Sequence, residues 1–281
     1  MKFCRFGPPG SEKPGMIDAK GDTRDLSGVI RDITVETITD LVVDAECLPR
    51  VADGVRYGVP LSGIGKIVAI GLNYRDHAIE SDLPIPTEPV MFMKAVSSLS
   101  GPNDDVVLPR GATHGDWEVE LGVIIGRTCR YVDRAAALEH VAGYVLVNDV
   151  SERFNQKERG SQWSKGKSHD TFCPVGPWLV TPDEVADPQA LDMTLDVNGV
   201  RMQTGNTRTM IFGIAELIAY VSEYVTLLPG DLLITGTPPG VGEGKKPDKI
   251  FLKSGDVMSL SIAGLGRSTQ RVVPWSREVF A

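Results

Sequence analysis

Glu118 and Glu120 stand two residues apart in the stretch GDWEVELGVIIG (115–126), whose odd positions Trp117, Val119, Leu121, Val123 and Ile125 are all apolar. That alternation predicts a strand with one face in the core. The two glutamates then project side by side from the other face. Such pairs commonly lie on a solvated face, but adjacent like charges weaken a sheet unless something cancels them. Asp149 closes the next apolar run, YVLVN at 144–148, and so falls at a strand end that a crossover is expected to bring alongside the pair. Three carboxylates with no His or Cys nearby make a hard oxygen donor set. It suits Mg²⁺, Mn²⁺ or Ca²⁺ rather than Zn²⁺.

A second candidate lies in GLNYRDHAIESDLPIPTEP at 71–89. His77 and Glu80 are three residues apart, neighbours on one helical turn. A carboxylate beside an imidazole orients it and stabilises its protonated form, which a general base needs. An incidental pair on a surface helix has the same spacing. The proline-rich continuation reads as a loop able to cover a site. In WSKGKSH at 163–169, Lys165 and Lys167 offer ammonium groups to a substrate carboxylate or a developing enolate; a plain surface loop is the alternative.

Short strands and turns fill the start of the chain, with strands expected at 2–6, 15–17 and 23–26 and weak helical character over 35–45. The Gly- and Pro-rich stretch 54–65 reads as a linker, which places a small N-terminal domain at 1–63 and the larger domain at 64–281. Runs at 66–72 and 89–94 read as buried strands. Asp133 is placed to cap a helix running to Val141, with Gly143 just past its end. That order of strand, helix and strand suggests a crossover unit with parallel strands. Ile214, Leu217, Ile218, Val221 and Val225 recur at helical spacing, and a strand at 232–235 leads into the loop GTPPGVGEG at 236–244.

The bulk properties narrow the classes. At 281 residues, 42% hydrophobic and 23% charged, the chain can bury a substantial core. A net charge of −8 without a basic stripe argues against nucleic acid as a partner. Cys4, Cys47, Cys129 and Cys173 form no C-x-x-C pair and read as free thiols of a reducing compartment. No apolar run has the length of a membrane span, so a soluble cytoplasmic protein is expected. The 236–244 loop departs from the phosphate-loop pattern, and neither G-x-G-x-x-G after a strand nor G-x-S-x-G is found.

The ordered set GLNYRDHAIE, EPVMFMK, WEVELGVIIG, GYVLVNDVSE, WSKGKS, NTRTMIF and LLPGDLLITGTPPGVG resembles the fumarylacetoacetate hydrolase family over roughly 66–265. The resemblance implies an α+β, mostly β fold, a mixed β-roll with flanking helices, and a homodimer. It implies Glu118, Glu120 and Asp149 as ligands of Mg²⁺ or Mn²⁺, with Ca²⁺ able to substitute. It also implies His77 and Glu80 as a water-activating dyad, Lys167 rather than Lys165 as the catalytic lysine, and Gln156 and Thr237 as substrate contacts. The implied activity is metal-dependent hydrolysis of a C–C bond in a 2,4-dioxo acid of acylpyruvate type, an anionic small molecule. One such substrate is 2,4-diketo-3-deoxy-L-fuconate, which would yield pyruvate and lactate. Decarboxylation or lysis of a 2-oxo acid (ureidoglycolate lyase-type labels included), enol isomerisation, and ligand binding without catalysis are the alternatives on the same fold.

Overall fold

A computed structural model describes residues 1–80 and 84–277; part of the expected covering loop, 81–83, lies outside them. The chain is α+β and mostly β, a mixed β-roll with flanking helices. Its centre is a nine-stranded sheet in the order Thr23–Asp25, Lys13–Ile17, Lys2–Phe6, Leu179–Val180, Val141–Asn148, Val119–Ile125, Leu232–Ile234, Ile67–Gly71 and Val90–Lys94. Only Leu232–Ile234 and Ile67–Gly71 run parallel within it. A five-stranded sheet, including Asp192–Val197 and Val257–Ile262, covers one face.

Side-chain alternation divides the apolar residues between two cores. Val119, Leu121, Val123 and Ile125 face the second sheet, packing with Met193, Leu195, Met258 and Leu260. The opposite face holds Ile124, Val145, Ile67 and Ala69, and is covered by Phe3, Met16, Leu26 and Ile33. The helix Ile214–Tyr224 buries Leu217, Ile218 and Val221 against the first of these cores, as its spacing predicts.

Three local expectations are corrected. The 119–125 and 141–148 strands are antiparallel, with Val119 opposite Asn148. The segment between them is a wide hairpin in which only Ala137–His140 turns as a 3-10 helix, in place of the helix capped by Asp133. A parallel crossover would have carried Asp149 to the far end, near Ile125; the antiparallel pairing puts it beside Glu118. Third, the 115–126 stretch is not one strand. Gly115–Asp116 pairs separately with Ser151–Glu152, and regular pairing resumes at Val119. At the break, side chains replace ladder partners: Asp116 accepts from the Trp117 amide at 2.9 Å and Asn148 from the Glu118 amide at 3.2 Å.

The first 63 residues join the main sheet directly, since Lys2 and Phe3 pair with Val180 and Leu179. Their apolar side chains also cover the core face described above. A fragment of residues 64–281 is therefore expected to be insoluble or to melt well below the full chain in a thermal unfolding scan. A soluble fragment with unchanged melting would show the leading segment to be a separate folding unit.

Candidate functional site

Antiparallel pairing places the start of one strand beside the end of the next, which brings Glu118, Glu120 and Asp149 together. The Asp149 amide donates to the Glu118 carbonyl at 2.9 Å, locking the register at that point. One carboxylate oxygen from each of the three residues lies within 4.8 Å of the others, and all three side chains are buried.

So much negative charge out of water requires compensation. Lys167 Nζ donates to Glu118 Oε2 at 2.8 Å and to Asp149 Oδ2 at 2.6 Å. Lys94 Nζ, with its side chain wholly buried, donates to Asp149 Oδ1 at 2.5 Å. Arg153 Nη2 lies 2.7 Å from Glu118 Oε1 and also pairs with Asp116. Burial opposes the charge of Glu118, yet Lys167 and Arg153 outweigh it and hold its carboxyl well below the usual carboxylate range. Burial likewise disfavours the Lys167 ammonium, but Asp149 and Glu118 raise it above the ordinary lysine range. Glu120 is different. Burial, with Asp149 and Glu118 alongside, pushes its carboxyl well above the ordinary value.

Glu120 Oε2 accepts from the Gly236 amide at 2.6 Å, and among the described residues no donor reaches its other oxygen. Two carboxylates with cationic partners and a third without one, all oxygen and all at one point, form a donor set that fits a hard divalent ion. Such an ion and the Lys167 ammonium would draw on the same two carboxylates.

A cavity of about 580 Å³ opens onto this cluster. Glu118, Glu120, His77, Glu80, Gln156, Lys167 and Thr237 all line it, while Asp149 is enclosed by Lys94 and Lys167. His77 and Glu80 lie on the helix Arg75–Glu80, with His77 Nδ1 3.4 Å from Glu80 Oε2. Burial works against the Glu80 charge, but His77 and the Gly240 amide lower its carboxyl overall. Gln156 is on the helix Arg153–Lys157, its Oε1 accepting from Arg153 Nη1 at 3.1 Å. The Thr237 hydroxyl donates to the Val119 carbonyl and accepts from Gln203, so only a lone pair is left for a ligand. Lys165 points away and bonds the Arg159 carbonyl.

Lys94 and Arg153 have no place in the sequence reading of the site, although Lys94 ends the quoted stretch EPVMFMK and Arg153 directly follows GYVLVNDVSE. A signal was there for Lys94: a lysine ending an apolar strand needs a buried anion. Arg153 carries no such pattern. At the mouth, Lys157, Lys245, Lys246 and Lys249 line the cavity with Glu243, which bonds Lys157 at 2.5 Å. On the opposite wall the Trp163 and Phe92 rings meet edge to face at 5.4 Å.

The chain is similar to known proteins over nearly its whole length. Residues 66–273 match the family model described as fumarylacetoacetate (FAA) hydrolase C-terminal. A 2,4-didehydro-3-deoxy-L-rhamnonate hydrolase from Sphingomonas sp. (strain SKA58) is 72% identical over 276 residues, covering 98% of this chain and 97% of that relative. A fumarylacetoacetate hydrolase structure from Exiguobacterium antarcticum superposes with a TM-score of 0.89 at 38% identity, covering 98% of this chain and all of that one. A maleylpyruvate hydrolase from Sphingobium sp. SYK-6, in complex with manganese (II) ion and pyruvate, gives 0.82 at 31% identity, covering 98% of this chain and 100% of that one.

The charge imbalance at Glu120 generates a two-sided prediction. Glu120→Gln keeps the shape and the Gly236 contact but removes the crowded charge. Without divalent ions the variant is expected to melt above the unmodified protein, by about 2–4 °C for each kcal/mol relieved. Mg²⁺ or Mn²⁺ should raise the melting temperature of the unmodified protein and barely move the variant. Equal responses to the ion in a thermal scan would remove Glu120 from the ligand set.

Proposed function

Because the chain belongs to the fumarylacetoacetate hydrolase family and is a hydrolase of ketonic C–C bonds, we propose that it cleaves a 2,4-dioxo acid of acylpyruvate type with the help of a divalent cation at Glu118, Glu120 and Asp149. The observation that carries this reading is one cavity bringing a buried oxygen cluster and a His77–Glu80 pair to face the same space. The named activity of the Sphingomonas relative and the manganese and pyruvate in the Sphingobium structure support it.

The substrate we favour is 2,4-diketo-3-deoxy-L-fuconate. It and 2,4-didehydro-3-deoxy-L-rhamnonate are one molecule. Oxidation at C2 and C4 and loss of oxygen from C3 erase the stereocentres that separate the two 6-deoxy series, and only C5, common to both, is left. Water would add at C4 and the C3–C4 bond would break. C1–C3 leave as pyruvate, and C4–C6 as lactate.

When bound, the cation supplies Lewis acidity toward the carboxylate and keto oxygens of the 2-oxo acid end. The protein's own groups do the rest. His77, oriented by Glu80, takes a proton from water, which attacks the C4 carbonyl. As C3–C4 breaks, its electrons pass toward the C2 oxygen, leaving the pyruvate half as an enolate that is then protonated at C3. The Lys167 ammonium, already held beside Glu118 and Asp149, balances the growing negative charge. Gln156 and the Thr237 oxygen face the same space and would hold the substrate. The presence of the His77–Glu80 pair favours hydrolysis over decarboxylation or isomerisation, which have no water to activate.

Loss of the enol absorbance of an acylpyruvate reports the reaction. Thorough chelation should abolish it and Mg²⁺ or Mn²⁺ restore it; activity that survives complete metal removal sinks the proposal. His77→Ala should lower kcat by roughly 10²- to 10⁴-fold if the imidazole is the base, and an unchanged rate takes it out of that role.

The rim lysines lead to a separate expectation. In a chain of net charge −8 they reverse the local sign at the mouth, which favours capture of an anionic substrate. Raising ionic strength should lower kcat/KM while kcat stays level, and Lys246→Glu should flatten that dependence. A kcat/KM indifferent to salt would contradict steering by these lysines.

A further inference from the structure

The loop that leaves the Leu232–Ile234 strand holds Glu80 by two independent features. The Gly240 amide donates to both of its carboxylate oxygens, at 2.9 and 3.1 Å. Gly244 leaves open the space in which that carboxylate lies. A β-carbon there would stand 2.9 Å from Glu80 Cδ and 3.0 Å from Oε2, closer than carbon atoms pack. Gly240 itself has a φ of +109°, a backbone state that side chains disfavour.

The loop is in turn fastened to the strand that carries the candidate ligands. Asp116, fully buried, accepts from the Gly242 amide at 2.7 Å and the Glu243 amide at 3.1 Å. Trp117 Nε1 donates to the Gly240 carbonyl at 3.2 Å. Arg153 spans from Asp116 to Glu118, at 2.8 and 2.7 Å. A continuous set of short contacts thus runs from Glu118 through Asp116 and the loop to Glu80, and from there to His77.

We propose that the glycine loop 240–244 is the positioning element of the His77–Glu80 pair: it fixes the Glu80 carboxylate, and through it the imidazole, at a set distance from the oxygen cluster. This rests on the reading of His77 as general base. The separation of His77 Nδ1 from Glu80 Oε2, 3.4 Å, is at the edge of a hydrogen bond. A shift of a few tenths of an ångström in Glu80 therefore makes or breaks the contact that orients the ring. The loop contributes geometry and touches no reacting atom; Gly240, Gly244 and Asp116 are positioning residues.

Gly244→Ala tests it. The atoms in the way belong to the end of a flexible side chain, so Glu80 is what moves. The expected result is a kcat lower by about 10- to 100-fold, with KM, Mg²⁺ affinity by calorimetry and melting temperature unchanged. Glu80→Asp, which draws the carboxylate back by one methylene, should recover part of kcat in the Gly244→Ala background while lowering it in the parent. A wild-type kcat in Gly244→Ala, or a loss of kcat matched by a loss of melting temperature, overturns the inference. His77→Ala separates the two levels. If it too keeps a full rate, the general-base reading falls and takes this inference with it; if it is inactive while Gly244→Ala is not, only the positioning role of the loop falls.

Discussion

Everything at this site depends on balancing charge that has been taken out of water. Glu118, Glu120 and Asp149 are buried around one point, where each bare carboxylate would cost several kcal/mol. Lys167, Lys94 and Arg153 offset two of them through short contacts, and among the described residues Glu120 has an amide donor alone. The result is a cluster whose geometry is held by the protein and whose charge an added cation would complete. A site built this way would bind its ion without having to gather its ligands first.

The surrounding architecture follows from that need. Rigid strands, apolar on their other face, keep the carboxylates from separating, and the second sheet packs against that face. The loop after Leu232–Ile234 contributes the Gly236 amide to Glu120 and the Gly240 amide to Glu80, so one segment serves both the carboxylate cluster and the His77–Glu80 pair. Asp116 and Arg153 bind that loop to the ligand strand. Moving any one of these pieces would move the others, which is the physical sense in which the site is a single unit.

Much of this was legible from residue order. The alternation in WEVELGVII places its apolar residues in the core and its glutamates together on the other face, as observed. The helix Ile214–Tyr224 and the strands at 67–71, 90–94 and 232–234 fall where periodicity predicts them. The pairing direction of the two ligand-bearing strands was misread because the connection between them has weak helical signals that the structure uses only for one 3-10 turn. Periodicity reports which face a residue occupies and says nothing of which neighbour a strand chooses. The break at Trp117–Glu118 escaped for a related reason, since side-chain acceptors from 116 and 148 replace ladder bonds there.

The sequence by itself determined the donor chemistry, oxygen only, and the identity of the residues able to supply it, because those depend on side-chain type and local spacing. It also determined the family, through an ordered set of motifs. Only the tertiary structure decided that Lys94 and Arg153 share the charge with Lys167, that Lys165 does not, and that the glycine loop reaches across to Glu80. These contacts join residues from 18 to 160 positions apart, and no local pattern encodes a distance that arises when separate strands and loops close on one cavity.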